Sequence, residues 1–397
     1  MHDTPVVPWL SIIGIGEDGL AGLTLASRKA LDAAEVVFGG ARHLELACAG
    51  ERGRLWAVPF DTAPVLAIRG RKVAVLASGD PFWFGAGGSL AGQLQSGEWV
   101  AFPVPSTFSL AAARLGWKLE DTICLGLHAA PFERLVPVLS HGVRVICLLR
   151  DGEAVVSLCQ WLDLKGWGQT AVTALSALGG PSETVANFIA LAGPSAQFRA
   201  PVAVALDTRG PLGLPRVGGL ADDLFVHDGQ ITKRHSRAFA LSALAPRPGE
   251  LLWDIGAGSG SVSVEWALAG GIAVAIEQQA ARAANIRENA AAFGLSHRIS
   301  VVEGSSPQML AGPPAPDAVF AGGGLTAEHF QAIWAIMRDG TRFVAHAVAL
   351  ETQALLSDLH ARHGGDLVRF EVSHAEPLGR MRSWQAVRPI VQWSTSK

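Results

Sequence analysis

The sequence carries little charge and no excess of basic residues. Of its 397 residues, 17% are charged, and 32 lysines and arginines stand against 35 aspartates and glutamates, which gives a formal net charge of −3. Proteins that bind the phosphate backbone of nucleic acids generally carry a basic face. We therefore expect no nucleic-acid partner.

Long apolar runs are absent too, although 49% of the residues are hydrophobic. A helix that spans a membrane needs about 20 consecutive apolar residues. Segment 6–16 is interrupted by Pro8, and segment 343–350 is too short. The N-terminal residues lack the basic stretch before an apolar run that marks a signal peptide. We expect no membrane association and a cytoplasmic location.

Cysteine is scarce, with four residues and no CxxC pair. Four cysteines in a chain of this length do not make a disulfide framework, and none stands with a histidine at the spacing of metal ligands. We expect reduced thiols that pack as small apolar side chains, and no metal site.

Strand-like apolar runs alternate with helical stretches along the whole chain. The clearest runs are 9–15, 73–77, 143–149, 202–206, 251–255, 273–276, 299–302, 318–321 and 342–347. Alternation of this kind predicts an α/β protein with mostly parallel sheets, whose buried strands also account for the high share of apolar residues.

A change of composition predicts a boundary between two domains. Residues 207–230 read DTRGPLGLPRVGGLADDLFVHDGQ, which is rich in glycine, proline and aspartate and typical of a linker. At about 150 residues per domain the length allows two or three domains. We predict a domain at 1–212, a linker at 213–230 and a domain at 231–397.

A glycine-rich turn follows a buried strand in the second half. Residues 251–261 read LLWDIGAGSGS, and a helical stretch comes directly after them. Glycine is needed in such a turn because a side chain would keep a cofactor away from the backbone. The next strand ends at Glu277, whose carboxylate can accept hydrogen bonds from both hydroxyls of a ribose. Two further strands end in glycine or serine, at 303–306 and 322–324.

This pattern favours S-adenosylmethionine over a dinucleotide. The dinucleotide fingerprint is GxGxxG, and the last position of that motif is Ser261 here. The tighter GxGxG form suits S-adenosylmethionine, which has no pyrophosphate for the turn to hold. A dinucleotide-binding dehydrogenase is the alternative interpretation.

Several segments of the second half together resemble the decarboxylating precorrin methyltransferase family of cobalamin biosynthesis. They are Ile231-Thr232-Lys233 followed by Arg237, then WDIGAGSGS, EGSSP, AGGG and Leu350-Glu351-Thr352, over about residues 218–397. The resemblance implies a Rossmann-like class I methyltransferase domain with a mostly parallel sheet. The cofactor contacts that we expect there are Thr232, Gly256, Ala257, Gly258, Ser259, Gly260, Glu277, Ser305, Ser306 and Gly322.

The first half contains a literal GxGxxG, at residues 14–19, but its context contradicts a dinucleotide site. The N-cap residue Thr24 predicts that the helix begins only after the glycines, whereas a phosphate site needs the helix N-terminus within them. The next strand, 36–38, ends in glycines without an acid. Glu17 and Asp18 would also repel a pyrophosphate.

Three other segments of the first half resemble the tetrapyrrole methylase family, in its branch that methylates carbon 5 of precorrin-6Y. They are ASGDPF at 77–82, PSTFS at 105–109 and GGPSE at 179–183, within a match over about residues 8–207. The resemblance implies a tetrapyrrole-methylase fold of two α/β subdomains that enclose S-adenosylmethionine. It carries over cofactor contacts from Gly79, Asp80, Pro81, Ser106 and Ser109.

Together the two resemblances imply a bifunctional enzyme with two S-adenosylmethionine sites per chain. The first half would methylate carbon 5 of precorrin-6Y. The second half would methylate carbon 15 and remove carbon dioxide from the acetate side chain on carbon 12, giving precorrin-8.

The implied substrate is a polycarboxylate tetrapyrrole, and arginine binds carboxylates through two parallel hydrogen bonds. The candidate residues for substrate binding and proton transfer are Arg237, Arg380, Arg382, His346 and Glu351. Lys233, Arg234 and His235 lie nearby in the sequence. For His346, a histidine satisfied within the core is the alternative interpretation.

Two other functions stay open at this stage. One is an RNA methyltransferase, and the other is a non-catalytic sensor that binds S-adenosylmethionine. The apolar composition also suggests a homo-oligomer.

Overall fold

The structure is a computed structural model that describes residues 8–304 and 312–397. The chain forms two compact units. The first comprises residues 1–130 and 140–212, and the second comprises residues 131–139 and 213–397. The division into domains at 1–212 and 231–397, with the activities assigned to them, stays a prediction.

The first unit contains strands β1 to β10 and helices α1 to α6 in its described residues. The strands are β1 (Leu10–Ile15), β2 (Val36–Gly39), β3 (Gly53–Leu55), β4 (Val73–Ser78), β5 (Trp99–Phe102), β6 (Thr122–Gly126), β7 (Arg144–Leu149), β8 (Ala171–Ser176), β9 (Thr184–Ile189) and β10 (Val202–Asp207). The helices are α1 (Leu25–Ala33), α2 (Ala41–Leu46), α3 (Ala63–Leu66), α4 (Ala86–Ala91), α5 (Thr107–Leu115) and α6 (Glu153–Leu164).

Two five-stranded sheets organise this unit. The first has the order β3-β2-β4-β1-β5 and is parallel throughout. The second has the order β6-β7-β10-β8-β9, in which only β6 and β7 are parallel. The predicted parallel pairing therefore holds for the first sheet, whereas antiparallel pairs dominate the second.

The second unit contains helices α7 to α11 and strands β11 to β19 in its described residues. The helices are α7 (Arg234–Leu244), α8 (Ser261–Leu268), α9 (Ala280–Ala292), α10 (Ala327–Ile336) and α11 (Leu350–His363). The strands are β11 (Leu251–Ile255), β12 (Ile272–Glu277), β13 (Ile299–Glu303), β14 (Ala318–Ala321), β15 (Arg342–Ala347), β16 (Asp366–Phe370), β17 (Ser373–Leu378), β18 (Met381–Ala386) and β19 (Ile390–Ser396).

A seven-stranded sheet of order β13-β12-β11-β14-β15-β19-β16 forms the centre of the second unit. Its first five strands are parallel, and β19 runs antiparallel to both of its neighbours. Trp253, Trp266 and Trp393 are fully buried in the cores on its two faces. This architecture confirms the predicted α/β class with a mostly parallel sheet. Strands β17 and β18 form a separate exposed hairpin.

Residues 213–230 do not behave as a free linker. Leu220 and Phe225 are buried in a core of the second unit. The carboxylate of Glu265 accepts hydrogen bonds from the backbone N–H groups of Gly219 and Leu220, at 2.6 and 2.9 Å. The glycine and proline content reflects a segment without strand or α-helix, and two apolar side chains anchor it.

The predicted start of the first helix is confirmed. Helix α1 begins after the glycines of 14–19, and the Thr24 side chain accepts a hydrogen bond from the Ser27 N–H at 3.2 Å. All four cysteines are free; Cys147 and Cys159 pack in the interior as expected, whereas Cys48 is exposed. Among the residues that the structure describes, no helix is long and apolar enough to cross a membrane.

Candidate active site and cofactor-binding loops

The glycine turn of the second unit joins β11 to α8 at the carboxyl edge of the sheet. Gly256 and Gly258 adopt left-handed φ angles of +67° and +60°. A Cβ atom on Gly258 would lie 3.0 Å from the Gln230 carbonyl oxygen. The turn is held by the carbonyl oxygen of Ile276, which accepts hydrogen bonds from the N–H groups of Gly256 and Ala257 at 2.9 and 3.1 Å. Conformation and space therefore both require glycine at position 258.

Glu277 ends the neighbouring strand β12 and is buried beside this turn. Its two carboxylate oxygens accept hydrogen bonds from the N–H groups of Gly258 and Gln279, each at 2.9 Å. An ionised carboxylate offers about four acceptor positions, so both oxygens keep a lone pair for a ligand. Glu277 thus orders the turn and can still accept ribose hydroxyls.

Asp254 lies one residue before the end of β11 and fixes the start of α8. Its carboxylate accepts hydrogen bonds from the Ser263 N–H at 3.2 Å and from the Ser263 hydroxyl at 2.7 Å. Burial raises the pKa of Asp254 to about 6, and the bonds from Ser263 oppose that effect. Through these contacts Asp254 fixes helix α8 relative to the end of β11, on either side of the glycine turn.

A cavity of about 1390 Å³ opens over this edge of the sheet. Most ligand pockets measure about 300–1,000 Å³, so this cavity has room for a nucleoside and for part of a second, larger molecule. The predicted cofactor residues that line it are Thr232, Gly256, Ala257, Gly258, Glu277 and Gly322.

Two of the predicted cofactor contacts in the described residues do not contribute to this lining. Ser259 is buried and its hydroxyl has no hydrogen-bond partner in the described residues, while Gly260 packs against Ile286 of α9. Both belong to the turn but lie behind its exposed surface. Ser305 and Ser306 lie outside the described residues.

The part of the cavity near β15, β19 and β16 is apolar at its base. The sheet order separates these strands from β12, and β19 and β16 enter the cavity with Ile390 and Phe370. The apolar side chains that line this part are Leu325, Val348, Phe370, Val372, Val387 and Ile390. A flat conjugated molecule in this space would contact apolar side chains with its faces and would reach water only at its edges.

Basic side chains stand at the rim of the same part. Arg234 and His235 begin α7, His374 lies on β17 of the exposed hairpin, and Arg388 follows β18. The rings of His235 and His374 are 5.9 Å apart. Within residues 8–304 and 312–397, neither Arg234 nor Arg388 has an acidic partner within 4.0 Å. The rim can therefore receive carboxylates.

Sequence reasoning did not identify His374 or Arg388. No motif surrounds either residue, and they reach the cavity through the β17–β18 hairpin and the segment between β18 and β19. Arg234 and His235 were noted only because they follow Thr232 and Lys233 in the chain.

His346 lines the cavity from the end of β15 and is held on several sides. Its Nε2 donates a hydrogen bond to Gln392 Oε1 at 2.8 Å, and the ring packs edge-on against Phe320 and Phe370. Burial lowers the pKa of His346 to about 4. The residue is therefore a neutral imidazole whose Nδ1 is an acceptor.

The structure contradicts the prediction that Arg237 binds the substrate. Its side chain is fully buried and forms ion pairs with Glu265 and, at 3.1 Å, with Asp222. It also donates hydrogen bonds to the carbonyl oxygens of Leu220 and Thr232. Every donor faces the protein, so Arg237 cannot bind a substrate carboxylate; it holds residues 220–232 against α7.

The remaining predicted catalytic residues do not line the cavity. Glu351 is exposed in the first turn of α11. Arg380 lies in the turn of the β17–β18 hairpin, and Arg382 lies on β18, both exposed. Their roles stay predictions.

In the first unit, the two predicted cofactor loops, 79–81 and 106–109, meet at the carboxyl edge of the parallel sheet. Gly79 follows β4 with a left-handed φ of +57°, and a Cβ atom there would lie 2.8 Å from Ser106 Cα. Its N–H donates to the Ile15 carbonyl oxygen, and its own carbonyl oxygen accepts from the Val104 N–H, each at 3.2 Å. The ends of β1, β4 and β5 are thus packed backbone to backbone.

The polar side chains of these loops are used to order the backbone. Asp80 Oδ1 accepts a hydrogen bond from the Phe82 N–H at 2.9 Å. Ser106 is the N-cap of α5 and accepts from the Ser109 N–H at 3.1 Å, with the two hydroxyl oxygens 3.0 Å apart. The carbonyl oxygen of Pro81 accepts from the Gly87 N–H at 2.9 Å. The five residues predicted to contact the cofactor therefore lie together. Because their polar side chains are bonded to the loops themselves, a ligand there would meet mainly backbone groups.

A parallel sheet with a glycine turn, an acid at the end of the next strand and a large cavity above them is typical of a Rossmann-like enzyme that binds a nucleoside cofactor. The tight GxGxG form of the turn is that of an S-adenosylmethionine-dependent methyltransferase. Two family profiles match the chain. The family described as tetrapyrrole (corrin/porphyrin) methylases matches residues 10–189, and the precorrin methyltransferase domain matches residues 223–397.

Full-length relatives identify the family. The chain is 45% identical to a Sinorhizobium sp protein named precorrin-6Y C(5,15)-methyltransferase (decarboxylating), over 99% of this chain and 97% of that protein. It is 35% identical to the Mycobacterium tuberculosis protein of the same name, over 97% of this chain and 99% of that one. The chain belongs to the precorrin-6Y C5,15-methyltransferase (decarboxylating) family.

A solved structure covers part of the chain. The crystal structure of the C-terminal domain of precorrin-6Y C5,15-methyltransferase from Rhodobacter capsulatus is 54% identical in sequence, with a TM-score of 0.46. It covers 46% of this chain and 100% of that chain.

The methyl donor of this family is S-adenosylmethionine, and the second unit fits it. A Cβ atom on Gly256 would meet only the Gly323 carbonyl oxygen, at 3.9 Å, so the turn leaves open space on the cavity side. The free lone pairs of Glu277 face that space together with Thr232. The glycine turn, the acid and the cavity volume are each compatible with a ligand that contains a nucleoside.

Proposed function

We propose that this chain methylates precorrin-6Y at carbons 5 and 15, removes carbon dioxide from the acetate side chain on carbon 12, and so produces precorrin-8. The observation that carries the proposal is the 45% identity to a relative of that name over 99% of this chain. The two sets of loops described above, one in each unit, agree with two methyl transfers by one chain. An RNA methyltransferase is disfavoured because the formal net charge is −3.

We further propose one cofactor site in each unit. In the second unit Glu277 would bind the ribose, and the backbone of residues 256–258 would contact the rest of the nucleoside and the amino-acid part. In the first unit the backbone of residues 79–81 and the loop before α5 would do the same. When bound, S-adenosylmethionine supplies an electrophilic methyl group, and the chain aligns it with the accepting carbon and excludes water.

The apolar part of the second-unit cavity suits the decarboxylation. A carboxylate placed against Phe370 and Val372 loses its hydration, which raises its free energy relative to neutral carbon dioxide. Arg234 and Arg388 at the rim would hold the other carboxylates of the macrocycle and so direct one acetate inward. His346 is neutral, so it adds no charge that would stabilise the buried carboxylate.

Mass spectrometry of a single incubation tests the function. The full chain is mixed with methyl-labelled S-adenosylmethionine and precorrin-6Y, and the product is expected to have gained two labelled methyl groups and lost one carbon dioxide. A product that retains all its carboxylates, or no labelled product at all, would contradict the proposal. Titration calorimetry with the cofactor product should give two sites per chain, and one site would contradict the second part.

Salt dependence separates the enzyme from an RNA-binding protein. A protein that neutralises several phosphates loses affinity steeply as salt rises. Binding of precorrin-6Y through a few arginines is expected to weaken much less. Tight RNA binding with a steep salt slope would favour the alternative function.

A further inference from the structure

Three consecutive aromatic residues follow the Gly-Asp-Pro turn of the first unit. Phe82, Trp83 and Phe84 are exposed by 44%, 39% and 50%. Large aromatic side chains are usually buried, and a contiguous exposed group of them marks a surface that binds something.

Two of these rings rest on one buried ring. The centroids of Trp83 and Phe84 lie 4.9 and 5.8 Å from that of Phe108, which is 1% exposed on helix α5. Rings held from behind in this way keep a fixed orientation while their other faces stay open. Phe82 is separate, because its ring packs on Trp99 at 5.4 Å.

Phe84 has a backbone conformation that is unfavourable for a bulky residue. Phe84 has a left-handed φ of +57°, a conformation that favours glycine or asparagine over a bulky residue. Its ring lies on Gly126 so closely that a Cβ atom there would be 2.9 Å from Phe84 Cδ1. Packing alone does not account for a strained residue whose ring is half exposed, and such strain concentrates at functional sites.

The two rings adjoin the loops that we assign to the cofactor. Asp80 accepts a hydrogen bond from the Phe82 N–H, so the Gly-Asp-Pro turn positions the start of the aromatic segment. Helix α5, which carries Phe108, is capped by Ser106, and Ser106 is the residue packed on Gly79. The first turn of this helix therefore contacts both the predicted cofactor loop, through Ser106, and the aromatic rings, through Phe108.

We propose that Trp83 and Phe84 form an aromatic platform on which one face of the tetrapyrrole lies while carbon 5 is methylated. The proposal rests on the proposed function. A conjugated tetrapyrrole has flat apolar faces and carries its carboxylates at the edge, so only a face can stack on these rings. The platform would fix the height of the macrocycle relative to the methyl donor.

The test compares ring removal with ring retention in the full chain. The variants are Trp83→Leu and Phe84→Leu, their ring-retaining partners Trp83→Phe and Phe84→Tyr, and the control Phe60→Leu. Phe60 is 48% exposed in the same unit and packs on Trp56, away from the Gly-Asp-Pro turn. The measurements are KM and kcat for precorrin-6Y in methyl transfer to carbon 5, and the number of cofactor sites.

Loss of either ring is expected to raise KM for precorrin-6Y about tenfold, the scale of one lost stacking contact. Two cofactor sites should remain, and the ring-retaining variants should lie within about twofold of the unaltered chain. A folding defect would instead reduce the number of cofactor sites. It would also not produce a rise in KM that the ring-retaining variants alone restore.

Two outcomes would overturn the platform without touching the proposed function. One is a Trp83→Leu chain whose KM equals that of Phe60→Leu while the unaltered chain still adds two methyl groups and loses carbon dioxide. The other is an unchanged KM with an altered sedimentation coefficient, which would assign these rings to a contact between copies. An unaltered chain that leaves precorrin-6Y unchanged would instead refute the proposed function.

Discussion

At the scale of single residues, the structure separates residues that line the cavity from residues that only hold the backbone. Gly258 and Glu277 do both, because the Glu277 carboxylate accepts a hydrogen bond from the Gly258 N–H and both residues line the cavity. Arg237 serves the backbone alone. Its motif position next to Thr232 and Lys233 predicted a ligand contact, but burial and two acidic partners show a structural role.

Gly258→Val should abolish the reaction of the second unit. The new side chain would meet the Gln230 carbonyl oxygen and would have to adopt a left-handed φ, which costs about 1–2 kcal/mol. We expect one cofactor site instead of two by titration calorimetry, and a product that keeps its carbon 12 carboxylate.

The matched control is Gly249→Val. Gly249 also has a left-handed φ, of +83°, but has open space around its Cβ position, outside the cavity. It should lose similar stability and keep both cofactor sites. If Gly249→Val also lost a site, strain rather than cofactor contact would explain the effect at position 258.

Arg237→Met should destabilise the second unit by about 3–5 kcal/mol, because Glu265 would stay buried without its cation. Arg234→Met, one turn earlier on the same helix, should change the free energy of unfolding by less than about 0.5 kcal/mol. It should instead raise KM for precorrin-6Y about tenfold through a lost charged hydrogen bond. Urea unfolding measures the stability of each variant, and initial rates measure its KM. A raised KM with unchanged stability in Arg237→Met would show that Arg237 reaches the substrate.

At the scale of elements, continuous apolar runs that end in glycine made the central strands predictable. The runs at 73–77 and 251–255 became β4 and β11, with their glycine turns at the carboxyl edge. Strands β16 to β19 were not predicted. The first three are exposed and give no continuous apolar run, and in β19 the polar residue Gln392 and the serines and threonine at its end interrupt the apolar ones. The cationic rim was missed for the same reason, since Arg388 and His374 are placed by those strands.

Helix α5 contacts both the predicted cofactor loop and the proposed aromatic platform, so we predict that its N-cap contributes to cofactor binding as well as to stability. Ser106→Ala should cost about 1 kcal/mol, as for other N-caps. Thr24→Ala, at the N-cap of α1, should cost a similar amount. Only Ser106→Ala should also weaken cofactor binding in the first unit, measured by calorimetry in a Gly258→Val chain. Equal cofactor affinity in both variants would confine Ser106 to a structural role.

At the scale of the whole molecule, the two units should respond differently to acid. In the first unit, burial together with the adjacent Arg42 guanidinium lowers the pKa of His43 to about 4. Because the unfolded histidine takes up its proton near its ordinary pKa of about 6.5, the unfolded state binds more protons between these values. The first unit should therefore lose stability as pH falls from about 6.5 towards 4.

The second unit contains opposing groups. Burial lowers the pKa of His346 to about 4, which also removes stability as pH falls. Burial raises the pKa of Asp254 to about 6, so that the folded state binds more protons below this value and gains stability as pH falls. Burial also lowers the pKa of His297, which acts in the same direction as His346. Asp254 opposes both histidines, so we expect the second unit to lose less stability between pH 6 and 4 than these histidines alone would cause.

His43→Gln tests this difference, because it removes the titrating group of the first unit and keeps a polar side chain of similar reach. The decrease in the free energy of unfolding between pH 7 and pH 5 should be smaller in His43→Gln than in the unaltered chain. In His128→Gln, at an exposed position of the same unit, the free energy of unfolding should decrease by the same amount as in the unaltered chain. Urea unfolding at the two pH values, followed by tryptophan fluorescence, gives both differences. Equal decreases in all three chains would mean that His43 is protonated in the folded unit, and that its contacts with Arg42 and Ser78 open below neutral pH.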